Sequence, residues 1–280
     1  MIWSLVVAVL ILGVIYVIVE IKPSNLGPWK DEHERLASVK RDGDVVDISN
    51  LRRARYGENA KLEELVWEKK QVRLSNLKDV WFGLSVFQEP GLAHTMLSFD
   101  FGDGDPLVIS VESRQRPGQN YNPLLGLLHQ YHLIYVVGDE RDILGVRTYS
   151  LGNSLHFQPL MLSEERMRTL FLGMVGRLND LNKTPRFYNT LTSNCTTSLL
   201  KDTVVPLWQK ILDPRLLLPG YSDRVAYEYE ILDHRHACDD LRWASNLDDS
   251  DLDPEAKSFS DDLRSSFHKR IALVSDGAKT

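Results

Sequence analysis

Two alternating segments joined by a glycine-rich stretch constrain the fold of this chain more than any other feature. The segments are AHTMLSFDF and DPLVISVESR, and Gly102, Asp103 and Gly104 separate them. A three-residue loop of this kind closes a β-hairpin, because glycine adopts the left-handed backbone conformation that the loop requires. We therefore predict a hairpin in which Phe101 pairs with Asp105.

The side-chain pattern fixes the register of this hairpin. Pairing that continues from the loop places His94 opposite Glu112. The odd-numbered positions are almost all apolar, whereas the even-numbered positions include His94, Ser98, Asp100, Ser110, Glu112 and Arg114. A slip of one residue would mix the two sets. We therefore expect one face of the hairpin in the core and a second face that brings His94 and Glu112 together.

Cys195 is the second candidate for chemistry. It follows Asn194, a residue type that often caps a helix, and precedes a short apolar stretch that must end by Pro206. At a helix start, unpaired backbone N–H groups and the helix dipole stabilise a thiolate and lower the thiol pKa. A histidine can accept the thiol proton, and a carboxylate can orient its ring. We predict Cys195 as nucleophile, His94 as base and Glu112 as the orienting residue.

The rest of the chain mixes strand and helix patterns. Strand-like pieces lie at 45–48, 65–74, 80–87, 133–138 and 143–151, with a charged turn from Asp139 to Asp142 before the last of them. A helix is predicted to begin after Ser163 as N-cap, because apolar residues then recur at helical spacing. An α+β domain is expected.

The N-terminal segment from Ile2 to Val19 has eighteen residues and no charge. As a helix it would be roughly 27 Å long, which just crosses a bilayer core. No basic region precedes it and no A-x-A-like site follows it, so a retained anchor is favoured over a cleaved signal peptide. Lysines and arginines follow it, and the positive-inside rule would leave the domain in the cytoplasm, although long domains can translocate regardless of charge. The predicted division of the whole chain is an anchor at 1–21, a juxtamembrane linker at 22–44, a thiol-enzyme domain at 45–245 and an acidic C-terminal segment with a last helix at 246–280.

Composition excludes several classes of protein. A net charge of -6 argues against nucleic acid as a partner. Two cysteines exclude a disulfide scaffold, although Cys195 and Cys238 could form one bridge. The spacing of the histidines completes no metal site: His234 and His236 are two residues apart and close to Asp233, but they would need metal ligands from elsewhere. We predict neither a metal site nor another cofactor.

Four stretches of the chain resemble the Lnb N-terminal periplasmic domain family, a former domain of unknown function. They are VWFGLSVFQEPGLAHTMLSFDFGDGDPLVISVESR, YVVGDERDILGVRT, FYNTLTSNCTT and LLPGYSDRVAYEYEILD, and the resemblance extends from PSNLGPW to the C-terminus. It implies a bacterial inner-membrane protein whose domain faces the periplasm and folds like the NlpC/P60 branch of papain-like thiol enzymes. His94 precedes Cys195, the order of the circularly permuted branch. The expected fold class is therefore α+β, a permuted antiparallel sheet packed on helices and preceded by one transmembrane helix.

The family is named after an enzyme that N-acylates lipoproteins with a phospholipid as acyl donor. The resemblance implies that Cys195 carries the acyl group as a thioester, that His94 is the base, and that membrane lipid and lipoprotein are the partners. Further motif positions would line or support the site: Asn194, Arg114, Tyr121, Arg141 and Asp139. The segment SNLRRARYG departs from the family pattern, which leaves the substrate less defined than the chemistry. Hydrolysis of cell-wall peptides and a catalytically silent binding domain stay open as alternatives, and the sequence does not encode an oligomeric state.

Overall fold

The computed structural model describes residues 22–87, 91–147, 153–190, 219–248, 252–275 and 277. Within these ranges the strands are β1 Ser38–Asp42, β2 Val45–Tyr56, β3 Leu62–Arg73, β4 Asp79–Val86, β5 Ala93–Asp100, β6 Leu107–Arg114, β7 His132–Asp139 and β8 Ser154–Pro159. The α-helices are α1 Pro123–Leu127, α2 Glu140–Ile143, α3 Glu164–Lys183, α4 Ser222–Glu228, α5 Cys238–Ser245 and α6 Phe259–Ser275.

The eight strands form one sheet in the order β1-β2-β7-β6-β5-β4-β8, with β3 paired to the remaining edge of β2. The pairs are antiparallel except β2 and β7, which run parallel. The hairpin of β5 and β6 therefore lies in the middle of the sheet, where both of its neighbours, β4 and β7, hold it in place.

The predicted register of the central hairpin is confirmed. Leu97 pairs with Ile109 and Phe99 pairs with Leu107, the alignment that was expected from the alternation. The ladder runs only from the pair of Met96 with Ser110 to the pair of Phe99 with Leu107, so the predicted pair of Phe101 with Asp105 is not formed and the loop is longer than three residues. Gly102 and Gly104 adopt φ values of 70° and 73° in this loop. Because both glycines have left-handed backbone, a residue with a Cβ atom would be strained at either position.

Both faces of the sheet are buried, each under different helices. Odd-numbered hairpin residues pack into a core with α3, whose predicted apolar stripe is buried from Met167 to Leu181, and Ser163 caps this helix as expected. The other face carries Met96 and Val108 and lies under α5 and α6. The face that was predicted as polar is therefore not a solvent face, and its polar groups must find partners inside the protein.

Two segments differ from their sequence patterns. Residues 140–147 are helical rather than a turn and a strand, because Asp139 caps α2 by accepting a hydrogen bond from the amide of Asp142. Residues within 22–44, expected as a polar linker, contribute β1 to the sheet and bury Trp29 and His33. The division of the chain into an anchor, linker, domain and C-terminal segment stays a prediction.

The expected fold class is corrected in two respects, of which the first is the parallel pair of β2 and β7 in a sheet that was expected to be antiparallel. The α+β architecture is present, but the fold class as predicted included a membrane-spanning helix. No helix in the ranges that the structure describes is both long and apolar enough to cross a bilayer. Residues 1–21, to which that helix was assigned, lie outside these ranges.

Candidate active site

A chain of hydrogen bonds joins the two hairpin residues that were singled out for chemistry. Nε2 of His94, near the start of β5, lies 2.7 Å from Oγ of Ser110 on β6. The Ser110 hydroxyl is fully buried and donates to Oε1 of Glu112 at 2.9 Å. The direct separation between His94 Nε2 and Glu112 Oε1 is 3.9 Å. Glu112 therefore reaches the imidazole through Ser110 rather than by direct contact.

This chain assigns the protons of the imidazole. A serine hydroxyl that donates to the carboxylate presents its oxygen as an acceptor, so the Nε2–H of His94 donates to it. In a neutral imidazole the lone pair then belongs to Nδ1. The described residues supply no hydrogen-bond partner for Nδ1. The ring is thus held at one nitrogen and keeps its basic nitrogen for another group.

Glu112 stays ionised because cations and donors surround it. Its Oε1 accepts a hydrogen bond from Nη2 of Arg147 at 3.3 Å, and Nε2 of His33 lies 3.5 Å from Oε2. Burial acts to raise the pKa of Glu112. The hydrogen bond from His33 and the charge of Arg147 outweigh burial, with smaller effects from Arg52 and His94, and hold the pKa of Glu112 well below its usual range.

His33 is oriented toward Glu112 by the backbone. The amide N–H of Gln115, just after β6, donates to Nδ1 of His33 at 3.1 Å. A ring nitrogen that accepts leaves the proton on the other, so Nε2 of His33 presents its N–H to Glu112. The 3-10 turn Asp31–His33 thereby closes one side of the site.

These side chains line a cavity of about 300 Å³ at the end of the central hairpin. Its polar lining includes His33, His94, Glu112 and Arg147 together with Ser113, Gln115 and Asn153. Its apolar and aromatic lining is formed by Phe87, Ala93, Val111, Tyr121 and Tyr188. The side chains of His33, His94, Glu112 and Arg147 are 6% to 15% exposed, so the network is largely buried. A pocket with one apolar wall and a few convergent polar groups suits a small or chain-like ligand.

The family model of the Lnb N-terminal periplasmic domain matches residues 63–216, more than half of the chain. The chain belongs to this family. No curated protein and no solved structure matches it. The match spans His94, Ser110, Glu112 and Arg147, whereas His33 lies upstream of it.

The Lnb N-terminal periplasmic domain brings together only some of the residues that the sequence singled out. Tyr121 lines the cavity with His94 and Glu112. Arg114 lies on the same strand as Glu112 but is not among the residues that line the cavity. Its guanidinium donates to the backbone carbonyls of His33 and Glu34 and stacks on Trp29 at 4.2 Å. Its role is to hold the segment that carries His33.

Asp139 and Arg141 lie outside this cavity. Asp139 caps α2 and pairs with Arg53 and Arg55. Arg141 donates to the carbonyls of Pro254 and Glu255, beside a second cavity of about 330 Å³. Both residues hold elements in place. Cys195 and Asn194 lie outside the described residues, so the distance from Cys195 to His94 stays untested.

Sequence reasoning missed three members of the Lnb domain site: Ser110, Arg147 and His33. Ser110 precedes Glu112 by two residues, and the alternation of β6 was sufficient to place both on one face beside His94. Arg147 fell in a stretch that was interpreted as a strand. His33 was assigned to a linker, and no local pattern reveals that a distant turn packs on Glu112.

Proposed function

We propose that this domain is a cysteine-dependent acyltransferase that acts at the periplasmic surface of a bacterial membrane. Cys195 is the nucleophile, His94 is the general base, and Ser110 and Glu112 position His94. The observation that carries the proposal is the buried chain from His94 through Ser110 to an ionised Glu112, which leaves Nδ1 of His94 as the basic atom. Membership of a periplasmic domain family supports the compartment.

The reaction proceeds in two steps that share one proton carrier. Nδ1 of His94 takes the proton of the Cys195 thiol, and the sulfur attacks the ester carbonyl of a phospholipid acyl chain. The imidazolium returns the proton to the departing lysophospholipid oxygen, which leaves an acyl thioester on Cys195. In the second step His94 accepts a proton from the amine of a lipoprotein's terminal residue, the nitrogen attacks the thioester, and the proton returns to the sulfur.

Glu112 and the residues around it contribute electrostatic stabilisation and do not themselves react. An imidazolium forms transiently in each step, and Glu112 stabilises it through the Ser110 hydroxyl. Arg147 and His33 keep Glu112 ionised, so its negative charge is present when the imidazolium needs it. The apolar wall of the cavity, with Phe87, Val111 and Tyr121, gives an acyl chain a surface to pack against.

The direct test is the covalent intermediate. The full chain, with Cys238→Ala to remove the second thiol, is incubated with vesicles that contain a phospholipid with a labelled acyl chain, and the acylated peptide is identified by mass spectrometry. We expect a hydroxylamine-sensitive adduct on Cys195 that His94→Ala reduces by about 10²-fold or more, within the range for general base catalysis. Transfer to a peptide with a free amino-terminal diacylglyceryl-cysteine or its lyso form then completes the reaction.

Two results would contradict the proposal, each in favour of a different function. Cleavage of peptidoglycan fragments without any acyl adduct would indicate a cell-wall amidohydrolase. Alkylation of Cys195 at a rate that His94→Ala does not change would indicate a binding domain without catalysis, because a working dyad couples the two residues.

A further inference from the structure

Three separate stretches of the chain, residues 22–30, 115–132 and 181–190, form one continuous surface beside the cavity, which we name the leucine-basic face. Hydrogen bonds join the stretches in pairs: Asn25 Nδ2 to the carbonyl of Asn182 at 2.8 Å, the Lys30 amide to the carbonyl of Gln115 at 3.0 Å, and Thr190 Oγ1 to the carbonyl of Pro123 at 2.8 Å. The ring of Phe187 stacks on His129 at 5.0 Å, which adds a fourth connection. The face is therefore a fixed part of the fold.

Large apolar side chains project from this face into solvent. On and just after α1, Leu124 is 70% exposed, Leu125 is 43% exposed and Leu128 is 41% exposed. Leu26, in the first of the three stretches, is 84% exposed. Scattered single leucines are common on protein surfaces, but three within five residues of one short helical segment form a patch.

The charge of the leucine-basic face is opposite to that of the whole chain. The chain has a net charge of -6, yet none of the three stretches contains an aspartate or a glutamate. Their basic residues are Lys22, Lys30, Arg116, Lys183 and Arg186. Acidic residues resume at the exposed Asp31 and Asp180, which mark two borders of the face. Exposed leucines surrounded by cations match a bilayer that carries anionic phospholipid.

The leucine-basic face also borders the mouth of the cavity. Tyr121 and Tyr188, which line the apolar wall, belong to the second and third stretches. Asn122 follows Tyr121 directly and caps α1, so the exposed leucines begin three residues after a cavity-lining side chain. A bilayer that covers the leucines would therefore lie next to the cavity.

We propose that the leucine-basic face binds a bilayer containing anionic phospholipid, with Leu124, Leu125 and Leu128 among the upper acyl chains and the basic residues at the phosphates. The inference deepens the proposed function, on which it rests for the statement that the substrate is a membrane phospholipid. The inference identifies the part of the domain that contacts the membrane, and it orients the mouth of the cavity toward the bilayer surface.

The test must report on α1 itself, because the uncharged segment 2–19 of the full chain is apolar enough to adhere to lipid unaided. The full chain is mixed with vesicles of phosphatidylcholine, with or without phosphatidylglycerol, that carry a phosphatidylcholine with a diazirine in the upper acyl chain. After illumination, labelled peptides are identified by mass spectrometry. Leu273, 45% exposed on α6 over the opposite face of the sheet, is the matched reference.

We expect labelling of the peptide that contains Leu124 to exceed labelling at Leu273 at least about fivefold in vesicles with phosphatidylglycerol, and to fall when high salt screens the basic residues. The double variant Leu124→Ser/Leu128→Ser should lose the label at α1, whereas Leu273→Ser should not change it. Equal labelling at both positions, or no label at α1, would overturn the proposal, as would α1 cross-linking to a second protein chain instead of lipid.

His94→Ala separates this inference from the proposed function. That variant should keep the label at α1 while it loses the acyl adduct on Cys195. In the unaltered protein, labelling at α1 without an acyl adduct would support membrane binding by the leucine-basic face and contradict the acyltransferase. An acyl adduct without labelling at α1 would support the acyltransferase and contradict membrane binding by this face.

Discussion

Nε2 of His94 and Oε1 of Glu112 lie 3.9 Å apart, and the Ser110 hydroxyl bridges them. Ser110→Ala removes the bridge, so the ring loses the partner that fixes its tautomer, and water in the cavity competes for Nε2. We expect alkylation of Cys195 to slow by at least about tenfold, part of the contribution of a general base. The rate is measured between pH 5 and pH 9, because loss of orientation should also flatten the pH profile.

Ser85→Ala is the matched control for Ser110→Ala. Ser85 lies on β4 directly opposite His94, is fully buried, and has a hydroxyl without a hydrogen-bond partner. Its removal should leave the alkylation rate unchanged and the free energy of unfolding the same or slightly higher, since an unpaired buried hydroxyl is costly. Equal loss of rate in the two variants would show that Ser110 acts only through packing.

Replacement of Arg147 should shift the acid limb of activity. The Arg147 charge helps to lower the pKa of Glu112, so Arg147→Met raises that pKa, and Glu112 loses its charge at a higher pH. On acidification, formation of the acyl adduct in Arg147→Met should therefore begin to decline at a higher pH than in the unaltered chain. Arg147→Lys keeps the positive charge and should have a pH profile close to that of the unaltered chain. Arg141→Met, at the other cavity, should leave the acid limb in place, and a shift in that variant would count against this assignment.

His132 should make stability depend on pH in a predictable direction. Burial first, then the charges of Arg116 and Arg114, lowers the pKa of His132 from 6.5 to about 4. At His132 the unfolded chain therefore binds a proton more readily than the folded chain. The free energy of unfolding that depends on a neutral His132 is fully present above pH 6.5 and decreases as the pH falls toward 4. The loss is at most about 1.4 kcal/mol per pH unit from one group.

The variant that tests this is His132→Phe, which keeps an aromatic ring between Trp29 and Phe187. Urea unfolding at pH 7.5, 6 and 5 should show a shallower decline for His132→Phe than for the unaltered chain. His268→Phe, at an exposed histidine on α6, should keep the original slope. Parallel declines in all three proteins would disprove the assignment to His132.

The last helix should depend on one buried ion pair. Glu140 has no exposed surface, and both of its oxygens accept hydrogen bonds from Arg264 at 2.9 Å. Arg264→Met leaves a buried carboxylate without its cation, and we expect a loss of about 3 to 5 kcal/mol in the free energy of unfolding. Glu140→Gln/Arg264→Met should recover part of this loss in urea titrations. Arg224→Met, which breaks an exposed pair with Asp239, should have far less effect.

The central hairpin could be predicted because its information is local. Period-2 alternation in AHTMLSFDF and in LVISVESR, with two glycines between them, admits one register, and the observed pairs agree with it. Helix α3 was predictable for the same reason, since Ser163 and the apolar spacing that follows it specify a start and a buried stripe.

The rest of the site depends on contacts between residues distant in the chain. His33 faces Glu112 only because Arg114 binds the carbonyls of residues 33 and 34 and the Gln115 amide binds its ring. Residues 143–147 have the apolar composition of a strand, but Asp142 accepts two hydrogen bonds from the buried Arg52, and this pairing favours the helical turn. Such pairings override local propensity, and no pattern within one segment reveals them.

The pairing of Glu140 with Arg264 bears on how this protein can be divided for expression. The family match ends at residue 216, so a fragment cut at its borders would lack α6 and leave the Glu140 carboxylate buried without a cation. The same fragment, which starts at residue 63, would also lack His33 and the strand β2 that contributes Arg52. A fragment that keeps these contacts must therefore begin before Trp29 and include α6, well outside the borders of the family match.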